Sequence, residues 1–149
     1  DQIIKVIGSD AFINSDLNSE YVAKRIFSSS ELREQLNQIY LPVIKRKIQE
    51  FITKSTSTIK IVESALLFEC GLQHEFDNVV VVDCAESIRI SRIMLRNPHL
   101  THEQIMSRIQ AQMPQLEKVK LANHVISNNG NLQDLNSQVI SLFHQLKNK

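Results

Sequence analysis

Apolar and polar positions alternate along this chain in two different rhythms, and the rhythms predict helices interleaved with strands. In SSSELREQLNQIYLPVIKRKIQEFITK, residues 28–54, Leu32, Leu36, Ile39, Val43, Ile48 and Phe51 recur at helical intervals, which predicts one stripe facing a core. Ser28 and Glu31 stand at capping-box spacing at its start, and Pro42 predicts a kink or a split near Tyr40–Leu41. Upstream, IIKVIG is an apolar patch, AFINSDL reads as a loop with a hydrophobic anchor, and NSEYVAKRIF reads as a helix capped by Asn18 or Ser19.

The rhythm then changes. TIKIVES predicts a buried strand at about residues 58–63, and ALLFECGL a short helix stopped by Gly71. DNVVVVDCA predicts a second strand, whose four consecutive valines suit burial on both faces of a parallel sheet. ESIRISRIMLRN reads as a helix ended by Pro98. THEQIMSRIQAQM reads as another, with Thr101 and Gln104 at capping-box spacing. PQLEKVKLA begins with Pro114 at a favourable first-turn position. HVIS predicts a third strand, NNGN a turn, and LQDLNSQVISLFHQLKNK a closing amphipathic helix. Strands alternating with helices predict an α/β domain with a parallel sheet and flanking helices. Ligands of such sheets bind beyond the carboxyl ends of the strands, here near Glu63 to Phe68, Asp83 to Ala85 and Ser127 to Gly130.

Composition narrows the choice. The 149 residues fit one domain, 42% of them are hydrophobic, and the net charge is +1. Neither disorder nor a general attraction to nucleic acid is indicated. No apolar run is long enough for a membrane span, and DQIIKVIGSD lacks the charged-then-apolar order of a signal peptide. Cys70 and Cys84 lie in apolar surroundings and read as inert buried thiols, consistent with a reducing cytoplasm. The chain opens on Asp1 rather than Met, which is consistent with trimming or processing of upstream sequence.

The chemistry-bearing residues each admit two readings. Glu63 and Asp83 follow β-branched runs, where an acid orients magnesium and its waters or simply caps a loop. Glu69, inside LLFEC, needs a partner, which is either a ligand or a structural ion pair. Arg89, Arg92 and Arg96 share one helix face, either a solvated basic face or a mobile clamp for phosphates. VISNNG either presents Asn128, Asn129 and Gly130 to a base ring or is an ordinary turn. His99, His102 and Glu103 begin a metal-like cluster that nothing later completes, and no metal ligand is assigned. Gly8, Gly71 and Gly130 are the only glycines and none precedes a lysine, so a phosphate-binding loop is not encoded in this stretch.

Taken in order, RIFSSSELREQLNQIYLPVI, ESALLFECGL, FDNVVVVDCAESIRISRIMLRNPHLTHEQIMSRIQAQM and EKVKLANHVISNNGNL resemble the dephospho-coenzyme A kinase family from about Ile3 to Phe143. The Arg-Ile-x-Ala-Gln signature falls at Arg108 to Gln112. Leu41 stands for the family's usual His before Pro42, Ser19 where Arg is common, Asn123 for Asp, and Glu63-Ser64-Ala65 for Asp-x-Pro. The resemblance implies a P-loop nucleoside-triphosphate-hydrolase-like three-layer α/β/α fold, with the N-terminal strands and phosphate loop absent from this chain. It implies a helical lid at about 86–121 and a helical acceptor side at about 1–57.

The activity implied is transfer of the γ-phosphoryl group of ATP, with Mg2+, to the 3′-hydroxyl of dephospho-coenzyme A in the cytoplasm. Arg96 then matches the catalytic lid arginine, with Arg92, Asn128, Asn129 and Gly130 also at the nucleotide. Glu63, Leu67 and Glu69 lie at the acceptor. Gln112 and Lys118 match the lid's return segment. No nucleic-acid or membrane partner is implied. The alternatives are another nucleotide kinase of the same fold and a catalytically silent nucleotide-kinase-like module.

Overall fold

A computed structural model describes residues 1–147. The chain divides into two compact units, residues 1–65 and 66–149.

In the first unit, helix α1 (Gln2–Ile7) ends at Gly8, and a single 3-10 turn leads into a hairpin of β1 (Phe12–Ile13) and β2 (Asp16–Leu17). The sequence reading has a loop here. Asn14 and Ser15 both take positive φ, 49° and 73°, which is the mirror-image turn whose twist matches antiparallel strands. Helix α2 (Ser19–Ser28) follows, and the Asn18 side chain caps it by accepting the Tyr21 N–H at 3.2 Å. Helix α3 (Ser30–Lys54) is capped by Ser29, one residue beyond the expected Ser28, through the Leu32 N–H.

Pro42 does not split α3. Its missing N–H removes one bond to the Gln38 carbonyl, and Pro42 itself is exposed, so the flanking turns carry the helix through. The core of this unit joins Ile7, Ala11, Val22 and Leu36. The expected α3 stripe is only partly covered, because Val43 and Phe51 lie open at 43% and 44% exposure.

Residues 55–65 form no strand, contrary to the expectation for 58–63, and Ile61 is 78% exposed. A strand exists only where a neighbour satisfies its N–H and C=O groups. Among the described residues the parallel ladder joins two strands, not three.

The second unit opens with a single helical turn where a short helix is predicted. Gly71, at φ 63°, closes it as expected. The Leu72 N–H reaches the Leu67 carbonyl at 2.9 Å and the Gly71 N–H reaches that of Phe68 at 3.0 Å, the paired bonds of a Schellman cap. Strand β3 (Val80–Asp83) then pairs in parallel with β4 (His124–Ser127), register Val81 to Val125. Between them lie α4 (Glu86–Arg96), α5 (His102–Gln110) and α6 (Gln115–Leu121), and α7 (Leu132–Lys147) follows β4.

Thr101 and Gln104 form the reciprocal capping box that their spacing predicts. Pro114 sits at the cap of α6, one position before the first turn expected for it. The last two residues of the expected closing helix, 148 and 149, lie outside the described residues.

Val79 and Val81 pack with Phe68 against Leu67, Met113, Val119 and Ala122, while the alternate Val80 and Val82 are 38% and 53% exposed. One face of β3 is therefore buried, not both. The molecule is a mixed α/β protein with a parallel sheet and flanking helices. No helix among the described residues is long and apolar enough to cross a membrane.

Candidate nucleotide site

Parallel pairing brings the carboxyl ends of β3 and β4 side by side, so the loops that follow them meet. The Asn128 N–H donates to the Asp83 carbonyl at 2.7 Å, continuing the ladder one step past the strands. Asn129 turns its side chain back, and its Oδ1 accepts the Ala85 N–H at 2.7 Å. Its Nδ2 donates to Ser127 Oγ at 3.0 Å. Thus the Asn129 side chain braces the loop from within while the residue stays exposed. Gly130 is exposed, and a Cβ there would come within 3.0 Å of Asp134 Oδ2.

Helix α4 starts directly beyond β3 and crosses this junction. Arg92 donates from Nη1 to the Asn128 carbonyl at 2.8 Å and lies 3.7 Å from Cys84 Sγ. Arg96, one turn on, donates from Nε to Asn97 Oδ1 at 3.1 Å and is otherwise exposed. Arg92, Arg96 and Asn128 line one cavity of about 310 Å³, with apolar walls from Val82 and Ile93 and with Cys84 and Arg89 completing its rim. Three residues singled out from the sequence therefore share a cleft at the strand ends, where parallel α/β sheets bind ligands.

Asp83 is engaged rather than open. Gln115 Nε2 donates to its Oδ1 at 3.2 Å and to the Val82 carbonyl at 3.1 Å. Among the described residues no three His, Cys, Asp or Glu side chains converge as metal ligands would.

Glu69 has the partner its apolar surroundings demand. Its Oε1 lies 2.8 Å from Lys118 Nζ and accepts the Met113 N–H at 2.7 Å. Lys118 is 9% exposed and also donates to Gln112 Oε1 at 3.4 Å. The positions of Gln112 and Lys118, whose part was open in the sequence, are those of a clamp between the 66–72 turn and the start of α6. Leu67 packs beside it on the core. Burial, and then the Glu69 carboxylate, push the Cys70 thiol up from its ordinary range. Cys84 is buried as expected, whereas Cys70 is half-buried. Glu63 is exposed and belongs to the first unit, on the irregular segment where a strand end is expected.

Two residues had no role assigned from the sequence, Asn123 being noted there only as standing for the family's Asp. Asn123 Oδ1 accepts the Val79 N–H at 2.7 Å, fixing the start of β3 against β4. Gln138 on α7 accepts the Ser127 N–H and donates to its carbonyl, both at 2.9 Å, as a neighbouring strand would. Neither carries a local signal, because each acts on backbone distant in sequence or on another element.

Comparison with known proteins gives a consistent result. A family model described as dephospho-CoA kinase matches residues 1–134. The chain is 37% identical to the dephospho-CoA kinase of Syntrophotalea carbinolica over 133 residues, which is 87% of this chain and 63% of that protein. It is 32% identical to that of Geobacillus kaustophilus over 148 residues, 97% of this chain and 73% of that protein. It therefore spans roughly two thirds to three quarters of these relatives' length. Its structure superposes on the crystal structure of TT1252 from Thermus thermophilus with a TM-score of 0.78 at 27% identity, covering 97% of this chain and 74% of that one. The dephospho-CoA kinase from Campylobacter jejuni shares the fold, with a TM-score of 0.60 at 21% identity, covering 97% of this chain and 73% of that one.

Proposed function

Because the chain belongs to the dephospho-CoA kinase family, we propose that it supplies the lid and the base-side loop of an enzyme that phosphorylates dephospho-coenzyme A. The reaction is transfer of the γ-phosphoryl group of ATP to the ribose 3′-hydroxyl, giving coenzyme A and ADP. The observation that carries this reading is the convergence of Arg92, Arg96 and Asn128 on one cavity beyond the ends of β3 and β4.

Phosphoryl transfer asks a protein mainly to position two reactants and to neutralise charge developing on oxygen. Arg96 suits the second task. Its Nη groups have no partner among the described residues, it is exposed, and it stands on the last turn of α4 beside the cavity. A guanidinium there forms charge-assisted hydrogen bonds to phosphate oxygens. Arg92 suits the first task, holding the Asn128 carbonyl and with it the Asn128–Gly130 loop against which adenine would lie.

Glu63, Leu67 and Glu69 belong to the acceptor side in this reading, and segments 1–57 and 86–121 to the acceptor region and the lid. Glu69 acts there indirectly, since Lys118 and the Met113 amide already engage its carboxylate. Magnesium would arrive on the ATP phosphates, which supply most of its ligands in such enzymes, and no all-protein cage is expected for it. This stretch contains no Gly-Lys pair, so it supplies no phosphate-binding loop of that kind. The setting is the cytoplasm, where both cysteines stay reduced.

The test is a substrate profile of the complete gene product: ATP consumption with dephospho-coenzyme A against a panel of nucleoside monophosphates. Dephospho-coenzyme A should be the preferred acceptor. A better nucleoside monophosphate would assign the chain to a different nucleotide kinase activity, and no turnover with any acceptor would favour the silent module.

A further inference from the structure

The cavity has a third arginine, and its position carries an inference that deepens the nucleotide reading above and rests on it. Arg89 stands three residues before Arg92 on α4 and lines the same cavity. Its ionic partner is loose: Arg89 Nη2 and Glu86 Oε2 are 3.7 Å apart, and the Glu86 side chain is 54% exposed. Its Nε is buried with no hydrogen-bond acceptor among the described residues. Arg92 commits one Nη to the Asn128 carbonyl, and Arg96 commits its Nε to Asn97.

Three arginines thus line a cavity of about 310 Å³ that no carboxylate among the described residues lines. Cations spaced three and four residues apart on one helix face repel one another. A ligand with several anionic oxygens removes that repulsion and fills donors that the protein leaves open. Among the described residues, Glu86, at the first turn of the same helix, is the only carboxylate that pairs with any of the three.

We propose that Arg89 is a second phosphate-binding side chain beside Arg96, specific for the polyphosphate part of the nucleotide, and that Glu86 holds it while the site is empty. On binding, Arg89 exchanges the loose Glu86 contact for phosphate oxygen, so Glu86 competes with the ligand.

The test is equilibrium binding of three probes, ATP, inorganic tripolyphosphate and adenosine, to the complete gene product. Removing one charge-assisted contact in R89Q should weaken ATP and tripolyphosphate by about tenfold and leave adenosine unchanged. R89K, which keeps the charge, should lose less. E86Q should tighten ATP roughly threefold, because the competitor is gone. Thermal melts of each variant check the fold. Wild-type ATP affinity in R89Q overturns the inference while leaving the nucleotide site standing. Equal weakening of adenosine and ATP overturns it too, since that is loss of the site's shape rather than of a phosphate contact. If the wild-type protein binds none of the three probes, the nucleotide reading fails and this inference falls with it.

Discussion

Lys118 Nζ lies 2.8 Å from Glu69 Oε1, and both side chains are nearly buried, at 11% and 16% exposure. Removing either partner strands a charge in an apolar setting, which typically costs about 3–5 kcal/mol. Lys118→Met and Glu69→Leu should each destabilise the protein by that order in urea denaturation. The double variant should lose much less than the sum, because no lone charge remains and apolar contacts replace the pair. Additive losses would mean that the two groups do not depend on one another.

The Arg92 hydrogen bond to the Asn128 carbonyl separates loop positioning from phosphate contact. Arg92→Lys keeps a positive charge but loses the planar guanidinium whose Nη1 meets both the Asn128 carbonyl and Cys84 Sγ. Adenosine binding should weaken by roughly threefold to tenfold in Arg92→Lys, with a matching rise in KM for ATP and a smaller change in kcat. An adenosine affinity equal to wild type would remove Arg92 from the base loop's support.

Much of this site was legible because it is local. The Thr101–Gln104 capping box, the Gly71 stop and the Arg89–Arg92–Arg96 helix face each lie within a few residues, and all form as their spacing predicts. The β3–β4 pairing followed from two β-branched runs flanking helical ones. The failures are failures of context. TIKIVES has the composition of a strand but no ladder partner among the described residues, and a strand is a relation between two segments. Val80 and Val82 look like core but lie open, since burial depends on what covers a face. Asn14-Ser15 makes a hairpin turn without the usual Asn-Gly signal. Glu69 announced its need of a partner, yet only the fold could name Lys118.

Arg96 should matter to chemistry and not to stability. It is exposed, and among the described residues its side chain makes one hydrogen bond, to the adjacent Asn97 side chain. Arg96→Ala should therefore leave the denaturation midpoint almost unchanged, a shift within about 0.5 kcal/mol. In a steady-state assay of the complete gene product, turnover should fall by at least about tenfold, as expected for losing a charge-stabilising donor. Unchanged turnover would refute the lid role.

Cys70 gives a pH-dependent check on the packing around Glu69. Burial first, and the adjacent Glu69 carboxylate second, raise the thiol above its ordinary range. The thiolate is the reactive form, so alkylation of Cys70 by iodoacetamide should be slower than that of an exposed cysteine at mildly alkaline pH. Its rate should keep climbing beyond the pH at which the exposed thiol levels off. The raised value also fixes the sign of the stability effect. The folded state holds the thiol proton more tightly than the unfolded chain, so this contribution is full below the ordinary thiol range. It is lost as pH rises through the higher folded value. Replacing Glu69 by Gln removes a negative neighbour, so Cys70 should then titrate lower and react faster at a given pH, provided that thermal melts show the fold retained. A Cys70 profile identical to that of free cysteine, in the wild-type protein, would show that the turn bearing Glu69 is not packed as described.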